Sequence, residues 1–356
     1  MTNSLFLQNS IAVIWDFDTT LVPGYMQRPL FQHFKIDEGE FWREVNSLPQ
    51  FYRSHGAKRA TKDTAYLQHI LSYVRAGLMP GLTNKLLSEI GARIEFHPGL
   101  PDFFAALKEG VTNDRKFARH QITVEHYIVS TGLRAMIEGS KIFPHVDDVW
   151  ACEFSEASAS PKYLSESNQP QLFPAAGAVV SEIAYQLDHT SKTRAIFEIN
   201  KGTNKIPDIE VNDTISREAR RVPFQNMIYI ADGPTDVPCF SIVEQYHGRT
   251  FAVYAARDSR EFEKAYALQK QGRVEAFGEA NYEVGSQTNM WITHAVRDIA
   301  DRIVRDRERA LGDELGKPPD HVVDTGKVST AAELPPKKVS VAVKADPATN
   351  TGGITT

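Results

Sequence analysis

Cysteine is nearly absent: Cys152 and Cys239 are the only two among 356 residues. That is too few for a disulfide framework, and with no CxxC pair there is no zinc-binding signature. Strong charge of either sign is missing too. A formal net charge of -5 gives no electrostatic case for nucleic acid or an anionic membrane as partner. No apolar run approaches the roughly 18 residues that a membrane-spanning helix needs. The opening stretch MTNSLFLQNSIAVIWDFD has neither a basic n-region nor a small-residue cleavage site. These absences lead us to expect a cytoplasmic, soluble protein without nucleic acid or membrane as partner. The eleven histidines show no metal-ligand spacing, so His55, His69 and His189 are expected to be structural or on the surface. From Gly316 onward aromatic residues are absent as well, and Pro, Lys, Thr and Ala predominate. Such a segment buries too little apolar surface to offset its ordering entropy, and residues 312–356 are expected to be a disordered tail.

What is present is 42% hydrophobic residues, ample for a core. Four short, continuous apolar runs stand out: IAVIW (11–15), HYIVS (126–130), MIYIA (227–231) and FAVY (251–254). Unbroken runs rich in Ile, Val and Tyr read as strands buried on both faces of a parallel sheet. Helical patterns lie between them, in LPDFFAALKEG and SKTRAIFEINKG, and Ile292, Val296, Ile299 and Ile303 repeat every three or four residues after the fourth run. Alternating strands and helices predict an α/β, Rossmann-like, doubly wound parallel sheet. Residues 22–91 contain no convincing strand. Leu67, Ile70, Leu71 and Val74 form a helical stripe there, and EGEFWREVN and LTNKLLSEIG also read as helices. DVWACEF and GAVVSEIAYQL are possible strands, joined by SEASASPKYLSESNQPQLFP, which reads as a loop.

Polar residues gather where the apolar runs end. Asp16 and Asp18 close the first, Ser130, Thr131 and Gly132 close the second and are expected to open a helix, and Asp232 and Asp236 follow the third. Lys192 opens a helix in HTSKTRAIFE. In a parallel sheet these ends share one edge, where the ligand crevice lies. Carboxylates gathered there suit a hard divalent cation, for which magnesium is the natural candidate since it retains waters that phosphate can replace. Lys192 would neutralise remaining charge, and Ser130 with the following amides would hold phosphate oxygens.

In this pattern the chain resembles the haloacid dehalogenase (HAD)-like superfamily. Four motifs occur in its order: Asp16-Phe17-Asp18-Thr19-Thr20, the strand-end Ser130, Lys192, and Asp232-Gly233-Pro234-Thr235-Asp236. HPGLPDFFAALKEG resembles the lead-in helix before the second motif, and the likeness extends over roughly residues 10 to 305. The resemblance implies a core of residues 1–21 and 92–311, with residues 22–91 as a helical C1 cap in a phosphoserine-phosphatase-like layout. It implies that Asp16 is the nucleophile, forming an aspartyl-phosphate, and that Asp18 alternates as acid and base. Asp16, the backbone carbonyl of Asp18 and Asp232 would hold Mg2+, with Asp236 bound directly or one group removed. Ser130 and Lys192 would stabilise the transferring phosphoryl group, Thr131 and Gly132 would contact substrate, and Thr20 would brace the loop through the backbone. The second Asp separates the chain from the dehalogenase branch. Thr19 and Ala231 replace residues that are commonly Gly in relatives, and Pro234 and Pro238 stiffen the fourth motif.

Each residue also has a plainer reading. Paired Asp residues at a strand end often cap turns, a lysine at a helix start is usually solvated, and Ser130 could merely cap a helix. Arg28, Arg43, Arg53, Lys58 and Arg59 could meet an anionic substrate but are expected to be solvated. Tyr66 and Tyr73 are expected to pack. The function that follows is a Mg2+-dependent phosphohydrolase for a small phosphorylated metabolite. A phosphotransferase using the same intermediate, and a catalytically idle binding module, are the alternatives.

Overall fold

The structure, a computed structural model, describes residues 7–159, 178–206 and 208–315. Residues 312–315 of the expected tail belong instead to the last helix; the rest of that tail and most of the expected loop after Ser155 lie outside the described residues. Seven strands form one sheet: β1 (Ser10–Trp15), β2 (Thr123–Leu133), β3 (Asp148–Ser155), β4 (Glu182–Tyr185), β5 (Met227–Ala231), β6 (Arg249–Tyr254) and β7 (Ala276–Glu279). Their order is β4-β3-β2-β1-β5-β6-β7, parallel except for the antiparallel β3–β4 pair at one edge. The described helices are α1 (Arg28–Phe34), α2 (Glu38–Ser54), α3 (Ala65–Arg75), α4 (Asn84–Gly91), α5 (Asp102–Thr112), α6 (Arg115–Ala118), α7 (Arg134–Glu138), α8 (Lys192–Lys201), α9 (Val237–Gln245), α10 (Ser259–Lys270) and α11 (Gln287–Leu315).

Every residue of β1 is buried, as its unbroken apolar run requires of a central strand. On one face Trp15 stacks on Phe104 of α5 with ring centroids 4.8 Å apart, and Phe251 of β6 meets Trp291 of α11 at 4.6 Å. On the other, Tyr229 of β5 packs edge-on against Phe240 of α9, and Trp150 of β3 donates to Glu198 of α8 at 2.6 Å. Helices therefore cover both faces, the expected doubly wound arrangement.

Within the first face a polar core group is closed upon itself. His126 is fully buried; its Nδ1 accepts from Trp15 Nε1 at 3.2 Å and its Nε2 lies 3.0 Å from the Phe104 carbonyl. These partners select the neutral Nε2–H tautomer. Burial, reinforced by the nearby Lys108 and His145, pushes the imidazole down to about 3, against the pull of the Phe104 carbonyl.

The chain leaves β1 through α1–α4, residues 28–91, and returns at α5. Helix α4 meets α7 backbone to backbone. A Cβ on Gly91 would lie 2.1 Å from the Met136 carbonyl oxygen, and one on Gly139 would lie 1.8 Å from that of Ser88. Only glycine permits this approach.

Two local expectations need correction. Ser130-Thr131-Gly132 does not open a helix: β2 continues to Leu133 and α7 begins at Arg134. The Gly132 amide is captured by Ser130 Oγ at 3.0 Å and the Leu133 amide by Met26 Sδ at 3.2 Å, so neither amide enters a helical turn. Pairing with β3 shifts register across this segment. The second concerns GAVVSEIAYQL, of which only Glu182–Tyr185 is strand.

Candidate functional site

Strand order and register together fix where the site lies. The chain moves outward from β1 on one side through β2 and β3, and on the other through β5 and β6, so β1 is the topological switch point. Trp15 pairs with Ile128 and with Ile230. The next positions along the three strands therefore carry Asp16, Val129–Ser130 and Ala231–Asp232 to the carboxyl edge together.

There Lys192 binds two carboxylates, with Nζ 2.6 Å from Asp16 Oδ1 and 2.8 Å from Asp236 Oδ1. All three residues are buried, Lys192 to 2% exposure. The Tyr229 hydroxyl donates to the same Asp236 oxygen at 2.7 Å, and Thr235 Oγ1 donates to Asp236 Oδ2 at 3.1 Å. Lys192 reaches the group because a tight turn launches α8. Asp188 Oδ1 accepts from the Thr190 and Ser191 amides at 2.9 and 2.7 Å, which also holds the Asp188 carboxyl below its usual range. Burial alone would lower the Lys192 ammonium, but Asp16 and Asp236 outweigh it and hold it above its ordinary value.

The carboxylates respond oppositely. Burial raises Asp16 well above the usual range against the pull of Lys192, and the neighbouring Asp236 and Asp232 raise it further. Burial and then Asp236 lift Asp232 to about 6. Burial likewise lifts Asp18 to about 7, opposed by the Met26 amide, which donates to Asp18 Oδ1 at 2.8 Å. One oxygen each of Asp16, Asp232 and Asp236 lies within 4.8 Å of the other two. Two buried carboxylates and the half-buried Asp232 against one ammonium leave a surplus of negative charge in a donor set made entirely of oxygen, which fits a hard cation such as Mg2+. The Asp18 carboxylate stands apart from this set. Its backbone carbonyl, the ligand expected from the resemblance, accepts from Thr19 Oγ1 at 2.6 Å.

Thr19 itself sits at φ 57°, in the left-handed region. Glycine enters that region freely and a β-branched residue does so under strain. Its amide donates to the Gly24 carbonyl at 2.9 Å, fastening the turn. Thr20 differs from expectation. Its hydroxyl points to Asp16 Oδ2 at 3.5 Å rather than to backbone, while its carbonyl accepts from the Tyr282 hydroxyl at 2.7 Å.

Asp16, Asp18, Thr131, Lys192 and Asp232 line a cleft of about 610 Å³ between the sheet edge and helices α2, α3 and α10. Ser130 is buried behind them with its oxygen bonded to the Gly132 amide, and Gly132 lies under Met26, where a Cβ would come 2.1 Å from Met26 Cε. None of Arg28, Arg43, Arg53, Lys58 and Arg59 lines the cleft; the basic residues that do are Lys62 and Lys264 besides Lys192. Tyr73 packs as expected, donating to Glu44 at 2.6 Å, whereas Tyr66 lines the cleft and donates to the Thr131 carbonyl at 2.7 Å. His189, expected to be structural or surface, also faces the cleft, 3.6 Å from Asp63. Gln27, Trp42 and Asp63 were likewise not singled out from sequence, and nothing in their local pattern marks them.

No protein-family model matches the chain. An uncharacterized protein of Borreliella burgdorferi is 38% identical over 292 residues, covering 81% of this chain and 97% of its own length. Solved structures are more distant. A probable phosphoserine phosphatase from Vibrio cholerae is 12% identical, with TM-score 0.45 over 85% of this chain and 69% of that one. A phospho-aspartyl intermediate analogue of phosphoserine phosphatase is 14% identical, with TM-score 0.41 over 76% and 93%. For a HAD family hydrolase from Salmonella enterica serovar Typhi the values are 12%, 0.44, 76% and 66%. The strand order, with four motif segments gathered on one carboxyl edge, is the chain's own signature of its fold. The chain and the Borreliella protein belong to one family, and the fold is a doubly wound, mostly parallel α/β sheet.

Proposed function

We propose that the chain is a Mg2+-dependent phosphohydrolase that cleaves a small phosphomonoester through an aspartyl-phosphate on Asp16. The observation that carries this reading is Asp16 itself, buried at the switch point, held by Lys192 at 2.6 Å and opening onto the cleft. In the first step an oxygen of Asp16 attacks phosphorus, the ester P–O bond breaks, and the departing alkoxide takes a proton from the Asp18 carboxyl. In the second, water attacks the phosphorus of the aspartyl-phosphate and gives its proton to Asp18. The bond to Asp16 breaks and inorganic phosphate leaves.

The Met26 amide fixes one oxygen of Asp18 and leaves the other for this proton traffic. Lys192 steadies Asp16 and offsets charge on the phosphoryl oxygens, and Asp236, bonded by Tyr229 and Thr235, holds Lys192 in place. Asp16, Asp232 and the Asp18 carbonyl would hold the magnesium, with Asp236 at its margin. When bound, the ion supplies positive charge to the carboxylates and polarises the phosphoryl group. Helices α1–α3 serve as the cap that keeps bulk water from the cleft.

The test is hydrolysis of p-nitrophenyl phosphate with and without magnesium, beside Asp16→Asn. We expect magnesium-dependent turnover that falls at least about 10³-fold in the variant. Turnover that survives in Asp16→Asn would remove the nucleophile and with it the reading.

A further inference from the structure

Eight buried side-chain nitrogen or oxygen atoms among the described residues have no hydrogen-bond partner, and three of them belong to residues lining the one cleft: Gln27 Oε1, Trp42 Nε1 and His189 Nδ1. A buried polar group without a partner is costly, so gathering three around one space needs a reason. Gln27 is 2% exposed. Although it stands at the N-cap of α1, its side chain makes no capping bond. Its amide lies beside the Tyr66 hydroxyl. That hydroxyl gives its proton to the Thr131 carbonyl, so it can only accept from Gln27. The orientation of the amide is thereby fixed, and Oε1 is left as a free acceptor. Trp42 Nε1 is a donor only. Its ring lies between Tyr25 at 4.9 Å and Tyr66 at 5.9 Å, so the two unpaired atoms are set in an aromatic wall.

A ligand that satisfies this wall must donate to Gln27, accept from Trp42, and present a face to the rings. A hydroxyl group both donates and accepts, and a ring or chain bearing several hydroxyls also offers C–H faces to aromatic side chains. A quaternary ammonium would suit the rings but leave both polar atoms unpaired, and a plain alkyl group would do the same. Resting on the phosphohydrolase reading of the site, we infer that the leaving group is polyhydroxylated, making the substrate a sugar or polyol phosphate selected by Gln27 and Trp42.

The experiment compares kcat/KM for glucose 6-phosphate with that for cyclohexylmethyl phosphate, a ring of similar size without hydroxyls, and for phosphocholine. The wild type is expected to favour glucose 6-phosphate on the order of 10²-fold or more over either. Gln27→Met and Trp42→Phe should each shrink that preference by about 10-fold, chiefly through KM, since each deletes one hydrogen bond to the leaving group. Preference for either comparison ester, or equal losses on both rings in the variants, would overturn the inference. Turnover of p-nitrophenyl phosphate reports on the phosphohydrolase reading alone. If the wild type hydrolyses no ester, calorimetric binding of glucose 6-phosphate to the Asp16→Asn protein still decides the matter. Binding weakened by Gln27→Met would uphold the polyol site, and no binding would end it.

Discussion

Two buried polar clusters flank β1, and they solve the same problem in opposite ways. The His126 imidazole is neutral and both its ring partners are neutral and internal: Trp15 donates, Phe104 accepts, and aromatic rings pack against it. Around Lys192 the groups are charged and do not balance, since Asp16, Asp232 and Asp236 face one ammonium. Burial disfavours charge in both places. In the first it keeps an imidazole neutral; in the second it leaves carboxylates above their usual range and a residual negative charge that something from outside must meet. A closed cluster serves the fold, and an open one serves a ligand.

The largest effect expected from breaking this contrast comes from Lys192→Met. It leaves two buried carboxylates without their cation and should cost about 3–5 kcal/mol at pH 7 without added metal, read from urea unfolding. In that variant the folded carboxyls bind protons more readily than the unfolded ones. The lost stability should therefore return as pH falls from 7 toward 5. A variant whose midpoint matched wild type at pH 7 would show that the ion pair is not what holds the edge.

His126 tests the other cluster. Its folded value of about 3 lies below the 6.5 of a free imidazole, so in this window the unfolded chain takes up a proton that the folded chain refuses. Its contribution is fully present above pH 6.5 and is lost as pH falls from 6.5 toward 3, at up to about 1.4 kcal/mol per pH unit. His126→Gln should cost about 1–3 kcal/mol at pH 7 and lack that slope, so that the difference between the two proteins shrinks as pH falls from 6.5 toward 3. Parallel pH profiles for wild type and variant would contradict the closed-cluster account.

The smallest effect is expected at Thr19. Thr19→Gly relieves a left-handed β-branched residue, a strain of order 1–3 kcal/mol, but loses the hydroxyl bond to the Asp18 carbonyl and adds backbone freedom. A net gain of about 1 kcal/mol in midpoint stability is expected, accompanied by weaker magnesium-dependent activity as the turn loosens. A loss of stability would mean the hydroxyl outweighs the strain.

Much of this was legible beforehand where one segment carries its own signal. Unbroken apolar runs located β1, β2, β5 and β6, and the order of the motifs brought Asp16, Lys192 and Asp232 together on paper. β7 escaped because AFGE is four residues long with a glycine and a charge, and α10 because only Ala265 and Leu268 of its twelve residues are buried. The end of β2 was misjudged because Met26, more than a hundred residues earlier, captures its Leu133 amide. The cleft wall was illegible for the same reason. Gln27, Trp42 and His189 come from three segments, and an unpaired atom is defined only by what fails to reach it.

On the proposed function, the two glycines between α4 and α7 would bear on how substrate enters and product leaves. With Gly91 against Met136 and Gly139 against Ser88, main chain touches main chain, and α4 has no slack in which to slide. Its first residue is tied down as well, Asn84 donating to Glu156 and to the Phe154 carbonyl. Helix α3 is held by its buried Leu67, Ile70 and Leu71 and by exchangeable bonds, Tyr66 to Thr131 and Gln186 to Thr64. A swing of α3 relative to α4 would pivot in the segment between them, where Gly77 and Gly81 already adopt φ of 72° and 71°. In such a swing α4 would stay behind as the fixed jamb of the door.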